Sequence, residues 1–367
     1  MIVRGAVLRE MGLPKPYAES QPLRIEEVEL APPGPGELLV RIRAAGLCHS
    51  DLSVIDGSRP RVMPMLLGHE ATGEVVQSEA PGFTAGDAVA FAFVPACGEC
   101  GPCAEGRAAL CEPGAAANTA GTLLSGVRRL DGVHHHLGVS GFADHAVVSA
   151  RSAVKIDSTL PPEIAALFGC AVMTGVGAVV NTAQVRAGRS AAVFGLGGVG
   201  LSALLGAVLV GAHPIVAVDV VPEKLELARS LGATHTVPAG SDAVEAIRDA
   251  TAGGADYAFE TVGSGKVLEQ AYAATRRGGT TVTVGLPHPS QSFSVPAVSL
   301  VAEERTVKGS YLGSAIPSRD IPRYIALYQA GRLPVDRLLT ATVGLDNLNE
   351  AFDTLAAGTS IRQVLVL

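Results

Sequence analysis

The chain has 367 residues, with 28 Lys and Arg against 35 Asp and Glu and a formal net charge of −7. That length accommodates two domains with sizeable cores, and the acidic balance disfavours a nucleic-acid partner, which would select for a basic surface. The N-terminal MIVRGAVLREMG lacks the basic segment, apolar run and cleavage site of a secretory leader, so a cytoplasmic protein is expected.

In chain order, the first 150 residues read as short strands between Pro, Gly and Asp clusters, with candidates at Leu38–Ala44, Ala71–Gln77 and Ala88–Phe93. From about residue 172 the texture becomes β-α alternation. Ala191–Gly195 reads as a strand, Gly198–Val210 as a helix and Ile215–Asp219 as a strand. Pro222–Leu231 follows as a helix with Pro in its first turn, stopping before Gly232. Tyr257–Glu260 and Thr280–Gly285 add further strands, then an amphipathic helix at Asp320–Ala330 and a last strand at Gln363–Leu367. The expected fold class is α/β, a mostly-β domain plus a doubly wound parallel sheet. From Ser190 to Val218 His213 is the sole titratable side chain, a run that hydropathy alone would read as a membrane span. Six glycines and Pro214 cut it into pieces that suit a buried strand, turn and helix, and no membrane partner is expected.

The six cysteines divide into two metal sets. Cys97, Cys100, Cys103 and Cys111 lie within fifteen residues, and four thiolates on a short loop make a closed, structural zinc site. Cys48, twenty-one residues ahead of His69, and the distant Cys170 would supply two thiolates and an imidazole, leaving one position open for catalysis. Disulfides suit these paired Cys-x-x-Cys spacings less well, and the competing reading of Cys170 is a buried apolar cysteine. A nucleic-acid-gripping zinc ribbon is disfavoured because only Arg107 lies between Pro95 and Arg128, opposed by Glu99, Glu105 and Glu112. Asp51 is placed to accept the second ring proton of His69, and Glu70 to stand beside the metal or bind it transiently. His134, His135 and His136 are read as loop residues, since consecutive side chains on a strand cannot all face one ion.

Gly195-Leu-Gly197-Gly198-Val199-Gly200 matches G-x-G-x-x-G between an expected strand and helix. Gly195 serves the tight turn, Gly197 close approach to a pyrophosphate and Gly200 helix packing, while the helix N-terminus offers free N–H groups to the anion. Asp219, nineteen residues past Gly200, would accept ribose hydroxyls and repel a 2′-phosphate, which favours NAD over NADP.

These motifs, with Cys48-His-Ser-Asp51, Gly68-His-Glu70, His135-His-Leu-Gly138 and Ser360-Ile-Arg362, make the chain resemble the zinc-dependent alcohol dehydrogenases of the medium-chain dehydrogenase/reductase superfamily over nearly its whole length. The resemblance implies a GroES-like catalytic domain from residues 1–172 and 313–367 and a Rossmann NAD-binding domain from 173–312, with the active site in the cleft between them. It implies two zinc ions per chain, one catalytic and one structural. Ser50 would bond the substrate oxygen and begin proton removal, and His49 and Arg362 would contact the pyrophosphate. Thr174, Val199 and Val284 would line the nicotinamide, Lys224 would sit near the adenosine ribose, and Phe93 would wall the substrate pocket. The pocket would be shaped by loops around Met63–Leu67, Phe91–Phe93, Leu123 and Leu312. Ser53 stands where the best-studied members carry a proton-relaying histidine, so water or His49 would take that role. Ser50, in place of a threonine found in some relatives, suggests a roomier pocket. The implied reaction moves hydride between a primary, secondary or aromatic alcohol and NAD. The alternatives are S-(hydroxymethyl)glutathione dehydrogenase or a non-catalytic NAD-binding protein. The loop between Cys111 and His134 resembles that of the dimeric branch, which implies a homodimer, with a tetramer as the other form.

Overall fold

Strand Glu37–Gly46 is the spine of the first structural unit, pairing antiparallel with Ala71–Ser78, His145–Ser149 and Arg362–Val366. Because partners flank both its edges, Glu37–Val40 and Ala44–Gly46 are buried, and only Arg41 and Arg43 face water. The computed structural model describes all residues from Met1 to Leu367, which fall into two units. The first comprises Met1–Cys170, Ile316–Ile325 and Val335–Leu367, and the second Ala171–Ala315 and Ala326–Pro334.

The first unit holds a seven-stranded sheet ordered Leu339–Val343, Arg362–Val366, Glu37–Gly46, Ala71–Ser78, Ala88–Phe91 and Ala153–Lys155, with His145–Ser149 beside Glu37–Gly46. A four-stranded sheet runs Leu23–Glu29, Ile2–Leu8, Met65–Leu66, His134–His135. Between them lies a core in which the Phe142 and Phe352 rings meet edge to face at 6.0 Å. Each such fully buried side chain contributes about 1.5–3 kcal/mol. One expectation is corrected here. His134–His135 form a short strand parallel to Met65–Leu66, not a loop. Leu123 is fully buried among Val3, Leu66, Leu130 and Val133.

The second unit is built on a six-stranded parallel sheet ordered His235–Pro238, Ile215–Asp219, Ala191–Phe194, Ala255–Glu260, Thr275–Thr283, Thr306–Gly309. Numbered along the chain, this is the 3-2-1-4-5-6 order of a dinucleotide-binding sheet, and it reverses between Ala191–Phe194 and Ala255–Glu260. The uncharged run is accounted for. Ala191–Phe194 and Ile215–Asp219 are buried throughout, and so is most of helix Gly198–Leu209 between them. No single helix is long and apolar enough to cross a membrane. The strand expected at Thr280–Gly285 starts earlier, at Thr275, because exposed Arg276–Gly278 obscured its first half.

Candidate metal centre and nucleotide turn

Cys48, His69, Glu70 and Cys170 come from three separate places in the first unit. Cys48 is the N-cap of helix His49–Ile55, His69 and Glu70 sit just before strand Ala71–Ser78, and Cys170 follows the turn Ala166–Gly169. Gly68 makes the approach of His69 possible. Its φ is +90°, and a Cβ there would come within 2.5 Å of the Phe142 nitrogen.

All four side chains are buried, and their ligand atoms lie within 4.8 Å of one another. His69 Nδ1 stands 3.2 Å from Asp51 Oδ1, while its Nε2 is buried with no hydrogen-bond partner. A buried, partnerless imidazole nitrogen facing two thiols carries an uncompensated cost unless an ion fills the space. Two sulfurs and one nitrogen suit Zn²⁺, so the residues fit the metal that the sequence implies. The electrostatics agree. The Cys48 thiol is pushed well below its ordinary range by the Cys170 thiol, against the cost of burial and with help from His69 and Arg362. Burial would push Asp51 up, yet the His69 and His136 rings hold it below the usual carboxylate range. Burial raises Glu70 to about 7, against the pull of the Arg362 charge.

Around this set, Ser50 Oγ lies 3.8 Å from Cys48 Sγ, and the Phe93 ring meets His69 edge to face at 5.5 Å. His49 is exposed beside Ser50. Ser53 Oγ donates back to the His49 carbonyl at 2.7 Å, so its hydroxyl is engaged in the helix. Arg362, read from the resemblance as a pyrophosphate contact, has a buried side chain ion-paired with Glu70. His136 was missed by sequence reasoning. Its Nδ1 sits 3.1 Å from Asp51 Oδ1, bent away from straight hydrogen-bond geometry. The sequence carried no spacing signal for it, because three adjacent histidines do not say which one turns inward.

The second cluster, Cys97, Cys100, Cys103 and Cys111, likewise brings its ligand atoms within 4.8 Å. Backbone N–H groups point at the sulfurs. Cys97 N lies 3.2 Å from Cys111 Sγ, Cys100 N 3.3 Å from Cys97 Sγ, and Gly114 N 3.4 Å from Cys111 Sγ. Donors of this kind favour the thiolate, and the amides of Glu99 and Cys100 lower Cys97 to about 7. All six cysteines are free of disulfides.

In the second unit the glycine turn follows strand Ala191–Phe194 at the point where strand order reverses. A Cβ at Gly200 would lie 1.8 Å from the Gly195 carbonyl oxygen, so only glycine lets the helix start this close to the turn. At Gly197 a Cβ would meet nothing within 4 Å, which leaves open space over the helix N-terminus, and no side chain caps it. Asp219 Oδ2 accepts from Leu196 N at 2.6 Å and Oδ1 from Val221 N at 2.9 Å, tying the carboxylate to the turn. Val199 and Lys224 are partly exposed, Gly198 opens the helix, and Thr174 and Val284 are buried. A free helix N-terminus beside a fixed carboxylate suits a dinucleotide's pyrophosphate and ribose.

Comparison with known proteins bears on this arrangement. Residues 34–158 match the alcohol dehydrogenase GroES-like domain and residues 198–330 the zinc-binding dehydrogenase domain. An NDMA-dependent alcohol dehydrogenase of Amycolatopsis methanolica is 38% identical over 382 residues, covering 100% of this chain and 99% of that protein. The chain belongs to the zinc-binding alcohol dehydrogenase family. Among solved structures, an alcohol dehydrogenase zinc-binding domain protein from Burkholderia ambifaria superposes with a TM-score of 0.93 at 37% identity, covering 100% of this chain and 99% of that one. Benzyl alcohol dehydrogenase from Acinetobacter calcoaceticus gives 0.94 at 32% identity with the same coverage. Membership in the alcohol dehydrogenase family makes the protein an oxidoreductase with a GroES-like domain and a Rossmann domain.

Proposed function

We propose that the protein is an NAD-dependent dehydrogenase of primary, aromatic or secondary alcohols, with one catalytic and one structural zinc per chain. The observation that carries this reading is the buried donor set of Cys48, His69 and Cys170, whose His69 Nε2 has no partner within the protein. Zinc held there would supply the positive charge that acidifies an alcohol, and a nicotinamide held at the glycine turn would take up the hydride. The protein's own part is proton handling and orientation. Ser50 relays the proton, taking that of the substrate hydroxyl as it gives up its own, and the exposed His49 passes the released proton to water, since Ser53 is turned back into its helix. Phe93 offers an aromatic edge next to His69, and the similarity to a benzyl alcohol dehydrogenase supports aromatic alcohols. Asp219 supports NAD over NADP. His49 is assigned to the pyrophosphate together with Arg362, whose guanidinium also holds the Glu70 carboxylate, and Thr174, Val199 and Val284 are assigned to the nicotinamide. We assign the chain to the cytoplasm as a homodimer. Exposed Val298 and Val301 and the open edge strand Thr306–Gly309 support self-association.

The test is NADH formation at about 340 nm over primary, secondary and aromatic alcohols, with wild type and Cys48→Ala. The glutathione–formaldehyde adduct belongs on the same plate, and so does NDMA as an alternative acceptor, as the Amycolatopsis relative's name suggests. Benzyl alcohol turnover that Cys48→Ala abolishes supports the reading. Turnover of the adduct alone would make the protein a formaldehyde dehydrogenase. NAD binding without turnover of any substrate would overturn the catalytic assignment.

A further inference from the structure

The Asp51 carboxylate is fully buried, and its Oδ1 receives more than the ring of His69. The Gly68 N–H donates to it at 3.1 Å, and His136 Nδ1 approaches it at 3.1 Å. The His136 ring is also packed edge to face on His69, with centroids 5.5 Å apart. His136 is 1% exposed and far from solvent, so a polar ring here is either held for a purpose or a liability.

The backbone says it is held. His136 opens a turn in which two non-glycine residues, Leu137 at φ +49° and Ser140 at φ +53°, adopt left-handed conformations. Such residues cost about 1–3 kcal/mol each and persist only where the surroundings enforce them. The turn is locked around His136 itself. Its N–H donates to Ser140 Oγ at 3.0 Å, and its carbonyl accepts from Val139 N at 3.1 Å and Ser140 N at 3.2 Å.

We propose that His136 is a positioning residue for the metal-ligating ring of His69, acting through Asp51. The inference rests on the reading of Cys48, His69 and Cys170 as a metal site and adds a second imidazole to it. For the contact to attract, His136 carries its proton on Nδ1, so that Oδ1 has the His69 ring, the Gly68 amide and the His136 ring gathered around it. With the carboxylate fixed, His69 Nδ1–H, 3.2 Å from Oδ1 and 3.1 Å from Oδ2, is turned toward that one group, and Nε2 is left for the sulfurs. A partner one step behind a ligand in this way typically governs metal affinity by about 10–100-fold.

Chelator competition on the purified full chain tests this, with zinc or cobalt as the probe and the cobalt–thiolate absorption recording the ligand geometry. His136→Leu removes the polar ring at similar volume, whereas His136→Asn places an amide nitrogen near the position of Nδ1. His136→Leu is expected to weaken one metal per chain about tenfold or more and shift the cobalt spectrum, and to leave the Cys97–Cys111 metal in place. His136→Asn is expected to recover most of the loss. Unchanged affinity and spectrum in His136→Leu overturns the proposal, as does a His136→Asn variant as weak as His136→Leu. Should His136→Leu not fold, His136→Gln replaces it, because its amide lies one bond further out. Weakened binding in that variant supports the proposal and unchanged binding overturns it. A wild type that holds only the Cys97–Cys111 metal would instead sink the metal reading underneath.

Discussion

Glu70 and Arg362 form an ion pair in which the carboxylate is fully buried and the guanidinium side chain is 5% exposed. Gly46 makes room for it, since a Cβ there would lie 2.8 Å from Glu70 Cδ and 2.9 Å from an Arg362 nitrogen. A buried pair of this kind is costly to break from one side, because the remaining carboxylate must either stay charged without a partner or take up a proton. Arg362→Met is therefore expected to destabilise the protein by about 3–5 kcal/mol in denaturant titration. Adding Glu70→Leu to that variant should recover most of the loss. An Arg362→Met variant as stable as wild type would refute the burial argument.

The Cys97–Cys111 cluster is stitched by backbone amides, so its metal is expected to be structural. Cys103→Ser should lower bound zinc by one per chain and cut thermal stability by several degrees. The affinity for benzyl alcohol of whatever protein stays folded should hardly change. Zinc analysis and calorimetry on one preparation check both halves, and a variant that keeps its Tm after losing the metal contradicts the assignment.

Asp219 holds Leu196 N and Val221 N with its two oxygens, and under the proposed function its charge would also face a ribose 2′ position. Asp219→Asn keeps one acceptor and removes the charge. The ratio of kcat/KM for NADP over NAD should rise on the order of tenfold, worth about 1.4 kcal/mol. Steady-state kinetics with both coenzymes measure this. No change in the ratio would mean that the carboxylate only braces the turn.

His135 points to a pH effect on stability. Its ring is buried, its Nε2 accepts from Arg129 N at 3.0 Å, and burial, then the neighbouring His134, Arg128 and Arg129, lowers it to about 3. A histidine depressed in the folded state leaves the unfolded chain binding more protons below about pH 6.5. Stability is then complete above that value and falls as the pH drops toward 3. At about pH 5 the loss from this one group is roughly 2 kcal/mol. His135→Gln should flatten that part of the curve, and the difference between the two proteins' denaturation midpoints across pH isolates it from loss of metal.

How far the site could be read in advance depended on how local each signal was. The Cys97–Cys111 set is nearly contiguous, and the glycine turn sits between one strand and the next helix, so spacing alone exposed both. Ile215–Asp219 was likewise legible to the residue, because a fully buried parallel strand is an unbroken apolar run. The Asp51–His136 contact joins positions eighty-five residues apart, and it exists because His134–His135 pairs with Met65–Leu66. No periodicity in a two-residue strand announces that pairing. Arg362 posed a different difficulty. The resemblance offered it a phosphate, and only the pairing of its strand with Ala44–Gly46 showed the carboxylate waiting beside it.

That last pairing also sets an order of assembly during synthesis. Val364, Leu365 and Val366 occupy the edge of Gly46, Ala45 and Ala44, yet they leave the ribosome after every residue of the second unit has been made. Until then the buried spine of the first unit has a bare, apolar strand edge and Glu70 has no counter-charge, the kind of edge on which nascent chains stick to one another. The second unit, largely continuous in the chain, has no such wait. A chain cut short before residue 362 would therefore carry every residue of the nucleotide fold and lack a strand of the metal-binding one.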